Sequence, residues 1–299
     1  DKTNADARCA SGPAIDIPMV GGAIVAAYNL PSVSKLIVTP MILAGIYSNT
    51  ITTWNDPALV AANPGVTLPS ATIVAFHRSD SSGTTDNFTK YLTAAAGSDW
   101  TYNHGKEWAA PGGQGVKGSD QVAASVKSTP NSIGYVELSF ALSQSLTASW
   151  VDNGAGPVEP TSEKAAATIS SATITGTGND LALKLDYTTT TGYPIVLVTY
   201  EITCEKGLDS SLVPLTKSFL TYTSGTAGQG GLTAAGYVRH DGGRYWYHSG
   251  RWYAPRGIRW AIIAPPFGLF VPMLPGAYST VWWGGAPYYY ANDVYYVWR

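Results

Sequence analysis

At 299 residues the chain is long enough to bury a sizeable core and divide into two units, and its 45% hydrophobic content is ordinary for a globular protein. Charged residues make up only 13%, against about 25% in typical domains. The net charge of −2 hides an asymmetry: residues 1–237 hold 12 Lys and Arg against 18 Asp and Glu, whereas residues 238–299 hold 6 Arg against 2 Asp, a balance that argues against nucleic-acid binding by the body.

The apolar run over residues 15–28, broken by Gly21-Gly22, predicts a strand buried on both faces. Asn29-Leu30-Pro31 ends it. Helical spacing follows over residues 40–47 and 56–62, then an apolar strand over 72–76 that enters a Ser/Gly-rich turn. The next helix places Phe88, Tyr91, Leu92 and Ala95 on one face. A further helix is expected over 120–127 and a short buried strand over 133–136. This alternation predicts an α/β fold with a mainly parallel sheet and ligand loops at strand ends. Residues 150–192 are rich in Thr, Ser, Ala and Gly and read as surface loop with one helix over 163–169. The apolar segment 193–200 and a helix over 209–222 complete the body. No run approaches the ~18 apolar residues of a membrane span. The opening Asp1-Lys2-Thr3-Asn4 has no secretory hydrophobic region, as expected of a mature, processed or truncated chain.

The turn from Arg78 to Thr84 is the candidate site. Backbone N–H groups of Ser82, Gly83 and Thr84 at a helix N-terminus are expected to be unpaired and to favour an anion. Gly83 permits close approach, Ser82 and Thr84 add hydroxyls, and Arg78 supplies a guanidinium fork suited to tetrahedral oxygens, with Asp80 orienting it. The same residues also fit an ordinary capped helix beside an Arg78–Asp80 surface ion pair.

Several further segments stand in a fixed order around this turn. They are the run Ile17-Pro18-Met19-Val20-Gly21-Gly22 through Asn29-Leu30-Pro31, Thr53-Trp54-Asn55-Asp56-Pro57, Asn63-Pro64-Gly65, Gly115-Val116-Lys117-Gly118-Ser119-Asp120, Ser132-Ile133-Gly134-Tyr135-Val136-Glu137 and Tyr193-Pro194-Ile195-Val196. With the Arg-x-Asp-x-Ser-Gly-Thr core, residues 9–237 resemble the PstS-type phosphate-binding protein of high-affinity phosphate ABC transporters. The resemblance implies a periplasmic-binding-protein-like, type II two-lobe fold and an extracytoplasmic location, in the periplasm, at the cell surface or secreted. It implies inorganic phosphate as ligand, with no cofactor, no metal and no bond chemistry, and a membrane permease as partner. Arg78, Ser82, Gly83 and Thr84 would contact phosphate and Asp80 would hold the arginine. The family's first loops, including an Asp that takes the proton of hydrogen phosphate, have no counterpart upstream of Cys9, so the first lobe is expected to be incomplete. In this frame residues 1–29 form an N-terminal segment and lobe-crossing strand, 30–192 the ligand lobe, and 193–237 the return to the first lobe. Cys9 and Cys204 would then flank strands near the lobe crossover, where a disulfide or two buried thiols both fit. They lack Cys-x-x-Cys spacing, which weighs against a metal.

Residues 238–299 have a different grammar and resemble Tyr/Trp-rich exported bacterial domains of unknown function. Residues 243–253 and 286–296 each read as a hairpin with an aromatic triplet, a turn and an aromatic pair, within a small aromatic-rich β module. The prolines of 264–272 exclude a central strand there. So many aromatics exceed what a small core can hide, which makes self-assembly through the tail an expectation and an exported, filament-forming surface protein the alternative reading. Catalytic patterns are weak. His77, His104, His240 and His248 share no metal spacing, Ser81 and Ser82 lack a Gly-x-Ser-x-Gly frame, and Gly112-Gly113-Gln114-Gly115 is not followed by the Gly-Lys of a P-loop. His77 reads as strand-end packing or a rim group, and Lys117 as part of a lobe-closing loop.

Overall fold

The computed structural model describes residues 2–9, 11–225, 229, 237–240, 243–248, 251–256, 259–263, 279–283, 286–291 and 294–297. Two compact units divide the chain, Asp1–Gly207 and Leu208–Arg299.

In the first unit the elements run α1 (Lys2–Arg8), β1 (Ala14–Asn29), β2 (Ile37–Val38), α2 (Pro40–Tyr47), α3 (Pro57–Ala62), β3 (Val74–Arg78), α4 (Gly83–Ala95), β4 (Gln114–Val116), α5 (Gly118–Ser128) and β5 (Ser132–Glu137). They continue with α6 (Leu138–Ser143), β6 (Thr147–Ala148), β7 (Trp150–Asp152), β8 (Pro157–Val158), α7 (Ser162–Ser170), β9 (Thr173–Ile174), β10 (Leu183–Lys184) and β11 (Val196–Cys204). Helix starts follow their local chemistry. Thr39 caps α2 by accepting from Ile42 N–H, Asp56 caps α3 by accepting from Ala58 N–H, and a proline opens each helix where its missing donor is harmless.

The main sheet has the order β11-β1-β5-β3-β4. Only β3 with β4 and β3 with β5 are parallel; β1 runs antiparallel to both β11 and β5. The sheet is therefore mixed, not mainly parallel. Crossover helices fix direction only among β3, β4 and β5, which α4 and α5 connect in right order for parallel pairing. β1, which is followed by α2 and α3, enters the sheet in the opposite sense to β5. Its 16 residues serve two neighbours in succession, Ala14 to Ala23 pairing with β11 and Ile24 to Asn29 with β5, with a register shift between Pro18 and Val20.

The core lies between this sheet and its helices. Tyr47, Phe88, Trp108 and Tyr135 form an aromatic cluster under β3 and α4, with Phe88 and Tyr135 stacked at 4.4 Å and Tyr47 edge-on to Phe88 at 5.2 Å. Gly134 lets α5 lie close on the sheet, because a Cβ there would meet Val122 and Val126 methyls at 2.8 Å. Residues 150–192 hold four short strands besides the expected helix, and β2 pairs in parallel with β7. Cys9, which follows α1, is disulfide-bonded to Cys204 at the end of β11, Cα to Cα 5.4 Å. Tying together residues 195 positions apart contributes about 5 kcal/mol in the chain-entropy model.

The second unit contains α8 (Val213–Ser224) and two antiparallel sheets. The first is β12 (Tyr237–His240), β13 (Gly243–His248), β14 (Arg251–Arg256) and β15 (Arg259–Ile263); the second is β16 (Ser279–Trp283), β17 (Ala286–Ala291) and β18 (Val294–Val297). Hairpins β13–β14 and β17–β18 occur where the aromatic triplets place them. The proline-rich stretch 264–272 lies outside the described residues. Trp282 is 70% exposed on the second sheet.

Candidate functional site

Strand β3 ends at Arg78 and α4 begins at Gly83, so the turn between them delivers Arg78, Asp80, Ser82, Gly83 and Thr84 to one place. Arg78, Ser82, Gly83 and Thr84 line a cleft of about 650 Å³. Lys2, Asp16, Asn87, Glu137 and the β11 residues Leu197 to Tyr200 contribute to its other walls. Lys117 and His77 do not line it. His77 instead stacks on Trp108 at 4.7 Å, its Nδ1 lies 2.9 Å from Arg78 O, and burial lowers its pKa.

The guanidinium is held from behind. Nε donates to Asp80 Oδ1 at 2.7 Å, Nη2 to Asp80 Oδ2 at 2.6 Å, and Nη1 to Ser119 Oγ at 2.9 Å. Of the five N–H donors of an arginine, two have no partner among the described residues on this cleft-lining side chain. Asp80 accepts a third bond from Gly118 N–H at 3.0 Å, for which Gly118 turns to φ +80°, a conformation that suits glycine. The Arg78 hydrogen bonds, then the Gly118 amide, hold the Asp80 carboxyl far below the usual carboxylate range, and the Asp80 bonds raise Arg78 in turn. Tyr135 fixes the strand end by accepting from Arg78 N–H at 3.1 Å, and burial pushes its phenol up to about 12.

The backbone cradle is smaller than the sequence suggests. Ser82 N–H donates to Lys106 O at 3.0 Å, and Thr84 N–H and Thr85 N–H donate to Ser82 Oγ at 3.1 and 3.2 Å. Ser82 sits in extended backbone as the N-cap, so its side chain folds over the helix start and takes the Thr84 amide, expected to be unpaired, together with that of Thr85. Gly83 N–H alone of the three makes no hydrogen bond among the described residues. A serine hydroxyl has two acceptor positions and one proton. With both acceptor positions filled by amides, the Ser82 proton is left to donate elsewhere. A Cβ on Gly83 would meet nothing within 4 Å, so the open space begins at that residue.

Two residues bear on the site that the reading of the turn passes over. Ser119 supports Arg78, and Glu137 Oε1 accepts the Thr84 hydroxyl. Both lie in segments quoted above, Lys117-Gly118-Ser119-Asp120 and Gly134-Tyr135-Val136-Glu137, but nothing local in either one points to Arg78 or Thr84. On the far wall, Asp16 has its carboxyl raised by burial and then by nearby Asp180, and its Oδ1 is buried with no partner among the described residues.

Residues 1–226 match the PBP superfamily domain. The chain belongs to the PBP superfamily. Residues 231–298 of this PBP-superfamily chain match a family of unknown function, DUF6515. Phosphate-binding protein PstS 3 of Mycobacterium tuberculosis is 45% identical over 240 residues, covering 78% of this chain and 64% of that protein. PstS 3 of Mycobacterium leprae is 42% identical over 241 residues with the same coverage, so the chain spans less than two thirds of the length of these relatives. Among solved structures, a high-affinity periplasmic phosphate-binding protein (PfluDING) bound with phosphate superimposes with a TM-score of 0.62 at 19% identity, covering 78% of this chain and 71% of that one. A human phosphate-binding apolipoprotein gives 0.60 at 21% identity, covering 76% and 70%. These two likenesses establish the periplasmic-binding-protein-like fold. Among the described residues no helix is long and apolar enough to cross a membrane.

Proposed function

We propose that this protein captures inorganic phosphate outside the cytoplasm as the solute-binding component of an ABC-type uptake system and hands it to a membrane permease without bond chemistry. Arg78, Ser82, Gly83 and Thr84 are the ligand-contacting residues in this reading and Asp80 is the support. Residues 30–192 form the ligand lobe, with 1–29 and 193–237 belonging to the crossing strand and the return to the first lobe. The observation that carries the reading is the Arg78 guanidinium, held by three hydrogen bonds to Asp80 and Ser119 with two donors to spare, beside the Gly83 amide at the start of α4. Identity of 45% to proteins named as phosphate-binding supports the choice of anion.

Donors of this kind suit an oxyanion because the helix start and the guanidinium place positive charge where the ligand's negative oxygens lie. Titration calorimetry with phosphate on the wild type and Arg78→Ala tests it. Two charge-assisted hydrogen bonds at about 1.5–3 kcal/mol each predict a loss of about 100-fold or more in affinity. Equal heats from the two proteins would refute the site.

A further inference from the structure

We infer that one face of the four-stranded sheet β12 to β15, in the segment matched to a family of unknown function, binds an acidic polysaccharide. Residues 237–263 hold five arginines and two histidines against a single acid, Asp241. The antiparallel registers set these cations against one another, with Arg239 opposite Arg244, His248 opposite Arg251 and Arg256 opposite Arg259. Like charges directly opposite on neighbouring strands are destabilising. The fold by itself gains nothing from this pairing, and a polyanion laid across it removes the repulsion.

Register also sorts the residues by face, since positions two apart on a strand share a face and so do cross-strand partners. Tyr237, Trp246, Tyr253 and Ile262 are successive partners and make a row across all four strands. At the usual strand spacing that row is roughly 14 Å long. Two residues to one side of it lies the pair Arg239 and Arg244, and two residues to the other side the pair His248 and Arg251. Each flank is about 7 Å from the row. The opposite face carries Val238, Tyr245, Ala254 and Ala261, with Arg256 and Arg259 at one end only. Arginines are almost never fully buried without an acid to pair with, so the face flanked by cations on both sides is the one suited to a ligand. Guanidinium forks match the carboxylates of uronic acids, and the apolar faces of sugar rings suit Tyr and Trp. A second copy of the chain is a poor occupant, because the same face would bring arginine against arginine. The Cys9–Cys204 disulfide suits an oxidising compartment outside the cytoplasm, where acidic polysaccharides rather than nucleic acids are the polyanions at hand. This inference is independent of phosphate capture at Arg78.

Interferometry of the full chain on immobilised polygalacturonate tests it, with free polygalacturonate, dextran, oligothymidylate and phosphatidylglycerol vesicles as competitors. The wild type is expected to bind, and to be released as salt approaches ~1 M, where the screening length falls to about 3 Å. Arg244→Gln combined with Arg251→Gln is expected to weaken binding roughly 100-fold, about tenfold for each arginine. Its melting temperature is expected to stay level or rise, because each change removes a like-charge pair. Arg256→Gln combined with Arg259→Gln, on the opposite face, is expected to bind like the wild type. Should the first double variant fail to fold, its two single variants carry the same test. A folded wild type that does not bind overturns the inference, as does an equal loss from the two double variants. Displacement by dextran, or by oligothymidylate or the vesicles at lower concentration than by free polygalacturonate, overturns it as well.

Discussion

Replacing Asp80 by asparagine isolates the support of the arginine from the arginine itself. The carboxylate accepts two guanidinium hydrogens at 2.7 and 2.6 Å and the Gly118 amide at 3.0 Å. Asparagine keeps one acceptor and turns an N–H₂ toward Nη2, so it loses the charge and opposes donor to donor. The side chains are 12% and 27% exposed, which places the pair between exposed ion pairs at ~0–1 kcal/mol and broken buried ones at about 3–5 kcal/mol. After solvent screening, a loss of about 2 kcal/mol is expected. For a domain of this size that is roughly 4–8 °C in melting temperature. The pH dependence has a definite sign. A carboxyl depressed in the fold stabilises it above the unfolded value of about 3.9, and that stabilisation is lost as pH falls through the folded value. The gap between wild type and Asp80→Asn should therefore be steady from about pH 5 to 8 and narrow below about pH 4. Thermal melts followed by circular dichroism across that range measure it. Melting temperatures that agree at pH 7, or a gap that widens toward acid, would refute the account of how Arg78 is held.

Two other outcomes follow from the structure. Gly83→Ala places a methyl in the open space at the start of α4 without backbone strain, so melting should change by no more than about 2 °C while phosphate affinity drops about tenfold or more, measured by calorimetry. Cys204→Ser removes a cross-link between positions 195 apart and should lower unfolding free energy by about 3–5 kcal/mol in urea titrations, with reducing agent producing the same loss in the wild type and none in the variant.

Much of this architecture is legible locally. The proline at position 40 after Thr39 sets α2 at its observed bounds, and the long apolar run becomes β1, although only Ala23 to Tyr28 are buried as expected while Ile15 to Gly22 are half-buried or exposed. The direction of β1 is not legible in this way, since strand order and sense depend on partners 100 and more residues away in sequence. The same limit applies at the site. Arg78 and Asp80 are two residues apart and their pairing can be read from the turn, but Thr84 meets Glu137 across 53 positions and Arg78 meets Ser119 across 41. Counting unpaired amides fails for a different reason. Ser82 is both a candidate ligand and a good N-cap, and the cap wins because it satisfies two amides with one hydroxyl.

The bond between Cys9 and Cys204 also orders events during synthesis. Its first sulfur emerges with the opening helix and its second only with the last strand of the main sheet, so no covalent closure can occur until nearly the whole first unit has left the ribosome. Until then the opening helix has only noncovalent attachments, and oxidation can follow only after β1, β3, β4 and β5 have been synthesised.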